Sequence, residues 1–162
     1  MRKTISAFLL LTGLFVLAAR KDQAESGSDL AVIVNKQTAV LALTSRDLRG
    51  MLLGQTEHWP NGQKVVVASL PIELPETKLL LKQICGMSEG DFKRYFMQLA
   101  FQGKAVSAPH ILKSPAAIKA LVGATPGALG IIPAHDVDSA VNVVSLDGLN
   151  PGTSNYKLAM GQ

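Results

Sequence analysis

The stretch TPGALGIIP, at residues 125–133, decides the fold class of this chain. Pro126 and Gly127 are typical of a turn that ends one element, and the apolar residues 128–132 predict a short buried strand. Gly130 lies inside that strand, where a missing side chain usually indicates a close backbone approach or a bend. A helical pattern precedes the stretch and a loop follows it. A crossover from helix to strand of this kind indicates an α/β domain.

Apolar runs at residues 30–35, 64–70 and 141–146 predict three further strands. The first run, LAVIVN, is nearly unbroken, which is typical of a strand buried on both faces of a parallel or mixed sheet. The last run predicts an edge-like strand. Together with residues 128–132, these runs are sufficient for a small sheet.

Capping signals predict four helices between the strands. Thr44 and Asp47 have the spacing of a capping box, as do Ser88 and Asp91. The predicted helices begin near residues 45, 76, 89 and 115. The resulting order is strand, helix, strand, three helices and two strands. We therefore expect an α/β fold: a single lobe with a small mixed β-sheet flanked by helices.

The N-terminus has the composition of an export signal. Arg2 and Lys3 precede an apolar run, and small residues follow it, so residues 1–19 are predicted to be a signal peptide and the protein periplasmic. An uncleaved inner-membrane anchor is the alternative, and it would be the only contact with a membrane. Residues 20–29 are expected to be a flexible leader, residues 30–147 the α/β domain, and residues 148–162 a loosely ordered tail.

The overall composition argues against nucleic-acid binding. Charged residues make up 17% of the chain, and its sixteen basic residues include Arg2 and Lys3 in the predicted signal. Basic residues form no run after them and do not alternate with aromatic residues. The single cysteine, Cys85, cannot form an internal disulfide and has the pattern of a buried apolar residue.

Catalytic and metal-binding motifs are absent from the sequence. His58, His110 and His135 are scattered singly, without a second ligand at a metal-binding spacing. His135 is followed by Asp136, but neighbouring side chains in a loop are expected to point apart. We found no nucleophile motif, phosphate loop or dinucleotide motif. The sequence therefore predicts a protein that is not an enzyme and that needs no cofactor or metal.

Hydroxyl residues near the ends of the predicted strands are the best candidates for a binding site. In α/β domains, ligands collect at the carboxyl ends of strands, where helix N-termini offer free N–H groups to anions. Thr44, Ser45 and Thr77 begin helices that follow strands, and Ser69 lies at the end of a strand. These four residues are the candidate ligand-binding residues. Helix capping alone is the alternative explanation for the hydroxyls at helix starts.

Three segments resemble the phosphate-binding protein of the phosphate ABC transporter, within the type 2 periplasmic binding-protein superfamily. They are IVN at residues 33–35, LTSRDLRGMLLGQTEHWPNG at residues 43–62, and AIKALVGATPGALGIIPAHDV at residues 117–137. The resemblance implies a periplasmic-binding-protein-like fold and phosphate or another small oxyanion as ligand. It also implies an ABC permease or another periplasmic protein as partner.

Two departures from that family bear on function. Its members have two lobes with the ligand between them, whereas this chain has the length of one. The family's Arg-x-x-x-Ser-Gly-Thr loop binds the anion. In the corresponding segment of this chain, only Thr77 is a residue of the same type as its counterpart in the loop. Glu73 and Glu76 are added, and a carboxylate at a helix start competes with a bound anion. The alternatives are a solute-binding domain or an interaction module that docks through its uncovered cleft face.

Overall fold

The computed structural model describes residues 29–160 of the chain. The predicted signal peptide and the predicted leader up to residue 28 lie outside the described residues, as do residues 161 and 162. Within the described part, the strands are β1 (Leu30–Val34), β2 (Ala42–Leu43), β3 (Val66–Ser69), β4 (His110–Ile111), β5 (Ala128–Pro133) and β6 (Asn142–Leu146). The α-helices are α1 (Ser45–Leu52), α2 (Pro75–Leu80), α3 (Glu89–Phe101) and α4 (Pro115–Ala124). A π-helical turn, Leu81–Cys85, continues α2, and a 3-10 turn, Ala134–Asp136, follows β5.

The strands form one mixed sheet in the order β2-β6-β1-β5-β3-β4. β1 is antiparallel to both of its neighbours, while the pairs β2–β6, β3–β5 and β3–β4 are parallel. Every strand except β1 therefore runs in the same direction, and their carboxyl ends lie along one side of the sheet. We call this side the carboxyl edge. The expected mixed sheet flanked by helices is confirmed.

Burial of β1 on both faces explains its unbroken apolar sequence. Successive side chains of a strand point to opposite faces, so Val32 packs with the cluster that contains α1 and α2. Ile33 packs with the second cluster, which contains α4. All five residues of β1 are buried. The central strand therefore joins two hydrophobic cores, one on each face of the sheet.

The predicted capping boxes at the starts of α1 and α3 are confirmed. The Thr44 hydroxyl accepts a hydrogen bond from the Asp47 amide, and the Asp47 carboxylate accepts one from the Thr44 amide. Ser88 and Asp91 make the same pair of contacts. Both helices therefore begin where the sequence predicts.

Two parts of the sheet differ from the sequence prediction. β2 and β4 were not predicted, because each contains only two residues and is too short to show a periodic pattern. β6 was expected to be edge-like, but it pairs with β2 on one side and β1 on the other. The interior position of β6 follows from the missed strand β2, which takes the outer position.

The segment after Gly148 is also held more firmly than the predicted loose tail. Tyr156 and Leu158 are buried in the core cluster on the α1 face. The Leu158 carbonyl accepts a hydrogen bond of 2.9 Å from the Leu30 amide at the start of β1. Because Tyr156 and Leu158 are isolated apolar residues in a turn-rich segment, no periodic pattern predicts their burial.

Residues 125–133 place a glycine where the sheet meets α4. A Cβ atom on Gly130 would lie 2.5 Å from Ile118 Cγ2 and 2.9 Å from Val122 Cγ2. Both of these residues are in α4, so the glycine allows the helix to pack directly on β5. Gly127, at the start of the same stretch, has a φ of 79°, which favours glycine. The close approach inferred from the sequence is therefore confirmed.

None of the helices formed by the described residues is long and apolar enough to cross a membrane. This finding concerns residues 29–160 only, and the apolar run of the predicted signal lies outside it.

Replacing Gly130 with alanine should lower the free energy of unfolding by about 1–3 kcal/mol, because the new methyl group overlaps α4. Gly123→Ala is the matched control, since a Cβ there meets nothing within 4 Å and α4 gains helix propensity. Urea unfolding followed by circular dichroism measures both variants. Equal stability of Gly130→Ala and the wild type would contradict the close packing.

Candidate functional site

Three helices begin at the carboxyl edge. α1 follows β2, α2 follows β3, and α4 follows β4. Each therefore directs the positive end of its dipole, and the N–H groups that have no partner within the helix, toward the same side of the molecule. This arrangement is the geometry that α/β domains use for ligand binding, so the carboxyl edge is the candidate functional site.

The four candidate residues do not meet at one place along this edge. Thr44 and Ser45 follow β2, while Ser69 and Thr77 belong to β3 and α2. β2 and β3 are four positions apart in the sheet, which corresponds to about 19 Å at the usual strand spacing. A single phosphate-sized ion cannot contact both pairs. The carboxyl edge therefore contains two separate candidate positions.

The position at Ser69 and Thr77 is closed. Both residues are buried, and the Thr77 hydroxyl donates a hydrogen bond of 3.2 Å to the Leu70 carbonyl. The cavity between them has a volume of about 10 Å³, which is room for about one water molecule. The remaining lining residues are all apolar: Leu52, Ile72, Leu80, Leu81, Phe92, Pro109 and Ile111. In this conformation the cavity has no space for an oxyanion.

Carboxylates also flank this closed position. Glu73, in the loop before α2, forms a 3.2 Å ion pair with Lys93 of α3. A backbone hydrogen bond and the contact with Lys93 lower the pKa of Glu73. Glu76 lies in the first turn of α2, and its Oε2 atom is buried without a hydrogen-bond partner among the described residues. Negative charge at this helix start opposes the binding of an anion.

The position at the start of α1 is occupied by a carboxylate of the chain itself. The Ser45 amide donates a 2.8 Å hydrogen bond to Asp147 Oδ1, and the Ser45 hydroxyl donates one of 2.5 Å to Asp147 Oδ2. Lys157 Nζ lies 2.7 Å from Asp147 Oδ2 and 2.9 Å from Ser45 Oγ. Thr44 is engaged separately, since its hydroxyl donates to Asp47 at 2.7 Å.

These contacts keep Asp147 ionised well into the acid range. The hydrogen bond from Lys157, followed by those from Ser45, lowers the pKa of Asp147 to about 2. Desolvation acts in the opposite direction but is the weaker effect. Asp147 is therefore a carboxylate anion bound to a helix N-terminus, a hydroxyl and an ammonium group.

The sequence analysis missed Asp147 and Lys157. Asp147 follows the apolar run of β6 and precedes a glycine, so its place at the carboxyl end of a strand was a usable signal. Lys157 lies 112 residues from Ser45 in a turn-rich segment, and no local pattern indicates their contact. A long-range contact of this kind becomes visible only in the folded chain.

The histidines remain outside the two candidate positions. His135 Nε2 lies 3.5 Å from Asp136 Oδ2, so the expectation that these neighbours point apart is wrong. The 3-10 turn that contains both residues brings the side chains to the same side. Across residues 29–160, no group of three His, Cys, Asp or Glu side chains could hold a metal ion.

Two larger hollows are open grooves elsewhere on the surface. One has a volume of about 490 Å³ and is lined by Lys78, Lys82, Gly86, Met87, Ser88 and Glu89. The other, of about 420 Å³, lies beside β2 and α1 and is lined by Val40, Ala42, Leu43, Asp47, Met51, Thr56, His58, Trp59 and Pro60. The four candidate residues line neither groove.

Solved structures with a similar fold include phosphate transport receptors and phosphate-binding proteins. An ABC-type phosphate transport receptor from Vibrio cholerae matches 76% of this chain and 48% of its own, with 21% identity and a TM-score of 0.61. A putative phosphate ABC transporter substrate-binding protein with bound phosphate, from Clostridium perfringens, matches 76% of this chain and 47% of its own, with 21% identity and a TM-score of 0.62. PstS from Borrelia burgdorferi matches 81% of this chain and 55% of its own, with 13% identity and a TM-score of 0.60.

No protein-family model matches the sequence. The chain spans about half the length of the solved structures it matches. At these identities the likeness concerns the fold. The chain therefore shares its fold with about half of each of these phosphate-binding proteins, and the fold is the one that the sequence resemblance implied.

Replacing Asp147 with asparagine should lower the free energy of unfolding at pH 7 by about 1 kcal/mol, a value reduced for solvent screening of a partly exposed pair. Because the folded-state pKa of Asp147 lies below its ordinary value, the stabilisation is present above about pH 4 and is lost as the pH falls toward 2. Asparagine tolerates the positive φ of 51° at this position.

Urea unfolding of the wild type and Asp147→Asn between pH 7 and pH 2.5 tests whether the stabilisation by Asp147 is lost in acid. The difference in stability between the wild type and Asp147→Asn should shrink as the solution becomes more acidic. A difference that stays constant over this range would contradict the assigned contact.

Proposed function

We propose that this chain is an exported lobe of the phosphate-binding-protein type that works by docking its carboxyl edge on a second protein. The observation that carries this proposal is that neither candidate position of the edge has room for a small oxyanion. One is a cavity of about 10 Å³, and the other holds the Asp147 carboxylate. A face that cannot take a small ion can still take a protein surface.

Exposed apolar side chains at the same edge support docking. Leu74, which precedes α2, is 37% exposed, and Ile111, at the end of β4, is 48% exposed. Ile72 is half-buried between β3 and α2 and lines the closed cavity together with Ile111. Apolar residues beside polar groups are the usual composition of a protein interface. The partner would be an ABC permease, another periplasmic protein, or a second copy that supplies the missing lobe.

Binding of phosphate or another small oxyanion, in a transport role, is the second candidate function. It is favoured by the fold and by the phosphate bound in the Clostridium perfringens protein. The α1 terminus also has the donors that an oxyanion needs, although Asp147 now holds them. In either role the chain acts by binding, and we assign it no catalytic step, cofactor or nucleic-acid partner.

The proposed location is the periplasm, after export by the predicted signal at residues 1–19. Retention of that segment as an inner-membrane anchor is the alternative. Both forms place the folded lobe on the same side of the membrane, where permeases and other periplasmic proteins are accessible.

Charged substitutions at the carboxyl edge should weaken docking. We expect Leu74→Glu and Ile111→Glu to reduce partner capture from a periplasmic extract of the source organism by at least about tenfold, since each places a charge in an apolar contact. Phe101→Glu is the matched control, because Phe101 is 85% exposed on α3 and outside the carboxyl edge. Quantitative mass spectrometry compares the amount of partner captured by the wild type and by the three variants.

Light scattering at increasing concentration checks whether the partner is a second copy. Self-association that is lost in Leu74→Glu and Ile111→Glu identifies this form of docking. Equal capture by all four proteins, or a purely monomeric wild type that captures nothing, would contradict the docking proposal.

Wild-type protein should release no binding heat when titrated with inorganic phosphate up to about 10 mM, because neither position has room for the ion. A Kd of 1 mM corresponds to only about −4 kcal/mol, so calorimetry at this concentration detects even weak binding. Saturable heat with one phosphate per chain would favour the second candidate function instead.

A further inference from the structure

The outer side of β2 is an unprotected edge of the sheet. The Ser145 amide donates a 3.0 Å hydrogen bond to the Leu41 carbonyl, and the Asp147 amide donates one of 2.9 Å to the Leu43 carbonyl. Because the backbone groups of successive strand residues point to opposite sides, the N–H and C=O groups of Ala42 point away from β6. β2 is the first strand in the order of the sheet, so no further strand of the described chain lies beside these groups. They are available to a strand from another molecule.

An exposed apolar run accompanies this edge. Residues 39–42 have the sequence AVLA, and all of them are exposed except Val40, which is half-buried. Leu41 is 65% exposed, a larger fraction than that of Leu74 or Ile111 at the carboxyl edge. Folded proteins usually protect an edge strand with charged residues or proline, because an apolar edge promotes pairing with a second strand. The exposure of this run therefore indicates an interaction surface.

A groove lies next to the run, beside β2 and α1. It is the hollow of about 420 Å³ described above, and Leu43 and Trp59 are among its lining residues. The lining is predominantly apolar, and its carboxylate, Asp47, already accepts hydrogen bonds from the Thr44 amide and hydroxyl. Leu41 does not line the groove of its own chain. The surface therefore combines a protruding leucine with an apolar groove that this leucine leaves open.

We propose that the outer side of β2 is a homodimer interface, in which Ala42 pairs with Ala42 of a second copy in antiparallel orientation and Leu41 enters the groove of that copy. A two-fold axis at Ala42 allows these two residues to exchange N–H···O hydrogen bonds. In this register Leu41 lies opposite Leu43 of the second copy, and opposite residues of paired strands project to the same face. Leu43 lines the groove, so the surface is complementary to itself.

The size of this surface limits the strength of the dimer. The groove lining and the exposed run together comprise about eleven residues, whereas each side of a stable interface uses roughly 20–30. We therefore expect a weak dimer, with a Kd between about 10 µM and 1 mM. This interface goes beyond the proposed function, because β2 and β4 are the opposite edges of the sheet. Ile111 of the docking face belongs to β4.

Sedimentation equilibrium of the exported protein, from about 10 µM to 1 mM, tests the dimer. The wild type should change from monomer toward dimer over this range. Leu41→Glu should raise the Kd at least about tenfold, because it places a charge in the apolar groove. Ala42→Pro should do the same, since it removes the outward N–H donor at an edge position that tolerates proline. Phe101→Glu is the matched control, because Phe101 is 85% exposed on α3, and it should leave the Kd unchanged.

Isotope-filtered NMR of mixed labelled and unlabelled protein locates the contact. Nuclear Overhauser effects are expected between the Leu41 methyl groups of one copy and the Trp59 indole of the other. The proposal is overturned if the wild type stays monomeric up to about 1 mM, or if Leu41→Glu and Ala42→Pro both dimerise as the wild type does.

Two other results would overturn the proposal in favour of a different occupant. The first is self-association that Leu74→Glu abolishes and Leu41→Glu retains, which would support docking at the carboxyl edge instead. The second is a protein that stays monomeric and binds an extended peptide in the groove. Loss of partner capture by the Leu74 and Ile111 variants reports on the proposed function separately, because those residues lie outside the surface at β2.

Discussion

The fold depends on the direct contact between β5 and α4 at Gly130. Without a side chain at this position, Ile118 and Val122 reach the sheet and close the core on that face. The same segment is fixed at its start, where the buried Trp59 side chain donates a 2.8 Å hydrogen bond to the Gly127 carbonyl. β5 pairs with β1 and β3, so these two contacts anchor a central strand of the sheet that forms the carboxyl edge.

Because all strands except β1 run in one direction, α1, α2 and α4 begin at the carboxyl edge. The hydrogen-bond donors at the starts of α1 and α2 are, however, already bonded to other groups of the chain. Thr77 is hydrogen-bonded to the loop that precedes its helix, and Ser45 is bound by Asp147. Both contacts satisfy donors that a ligand would otherwise use. The chain therefore combines a fold similar to that of phosphate-binding proteins with helix starts whose donors are engaged by its own groups. In the proposed function, the exposed Leu74 and Ile111 contact a protein partner.

Features of the fold that depend on residues close together in the sequence could be predicted from the sequence. The apolar run of β1, the capping boxes and Gly130 each follow from neighbouring residues, and the resemblance named the correct fold. The state of the candidate site was not predictable in the same way. Asp147 meets Ser45 because β2, a strand of two residues, pairs with β6. Lys157 reaches both from the segment that the buried Tyr156 and Leu158 hold against the core. The burial of Tyr156 likewise depends on tertiary packing, which periodicity does not report.

A crystal structure of the wild-type chain grown in a high concentration of phosphate would show whether either candidate position binds an oxyanion. We expect the Asp147 carboxylate to remain bound to Ser45 and Lys157, and no anion to lie at the start of α1 or between Ser69 and Thr77. A phosphate ion at either position, with Asp147 displaced or the loop before α2 opened, would contradict this expectation.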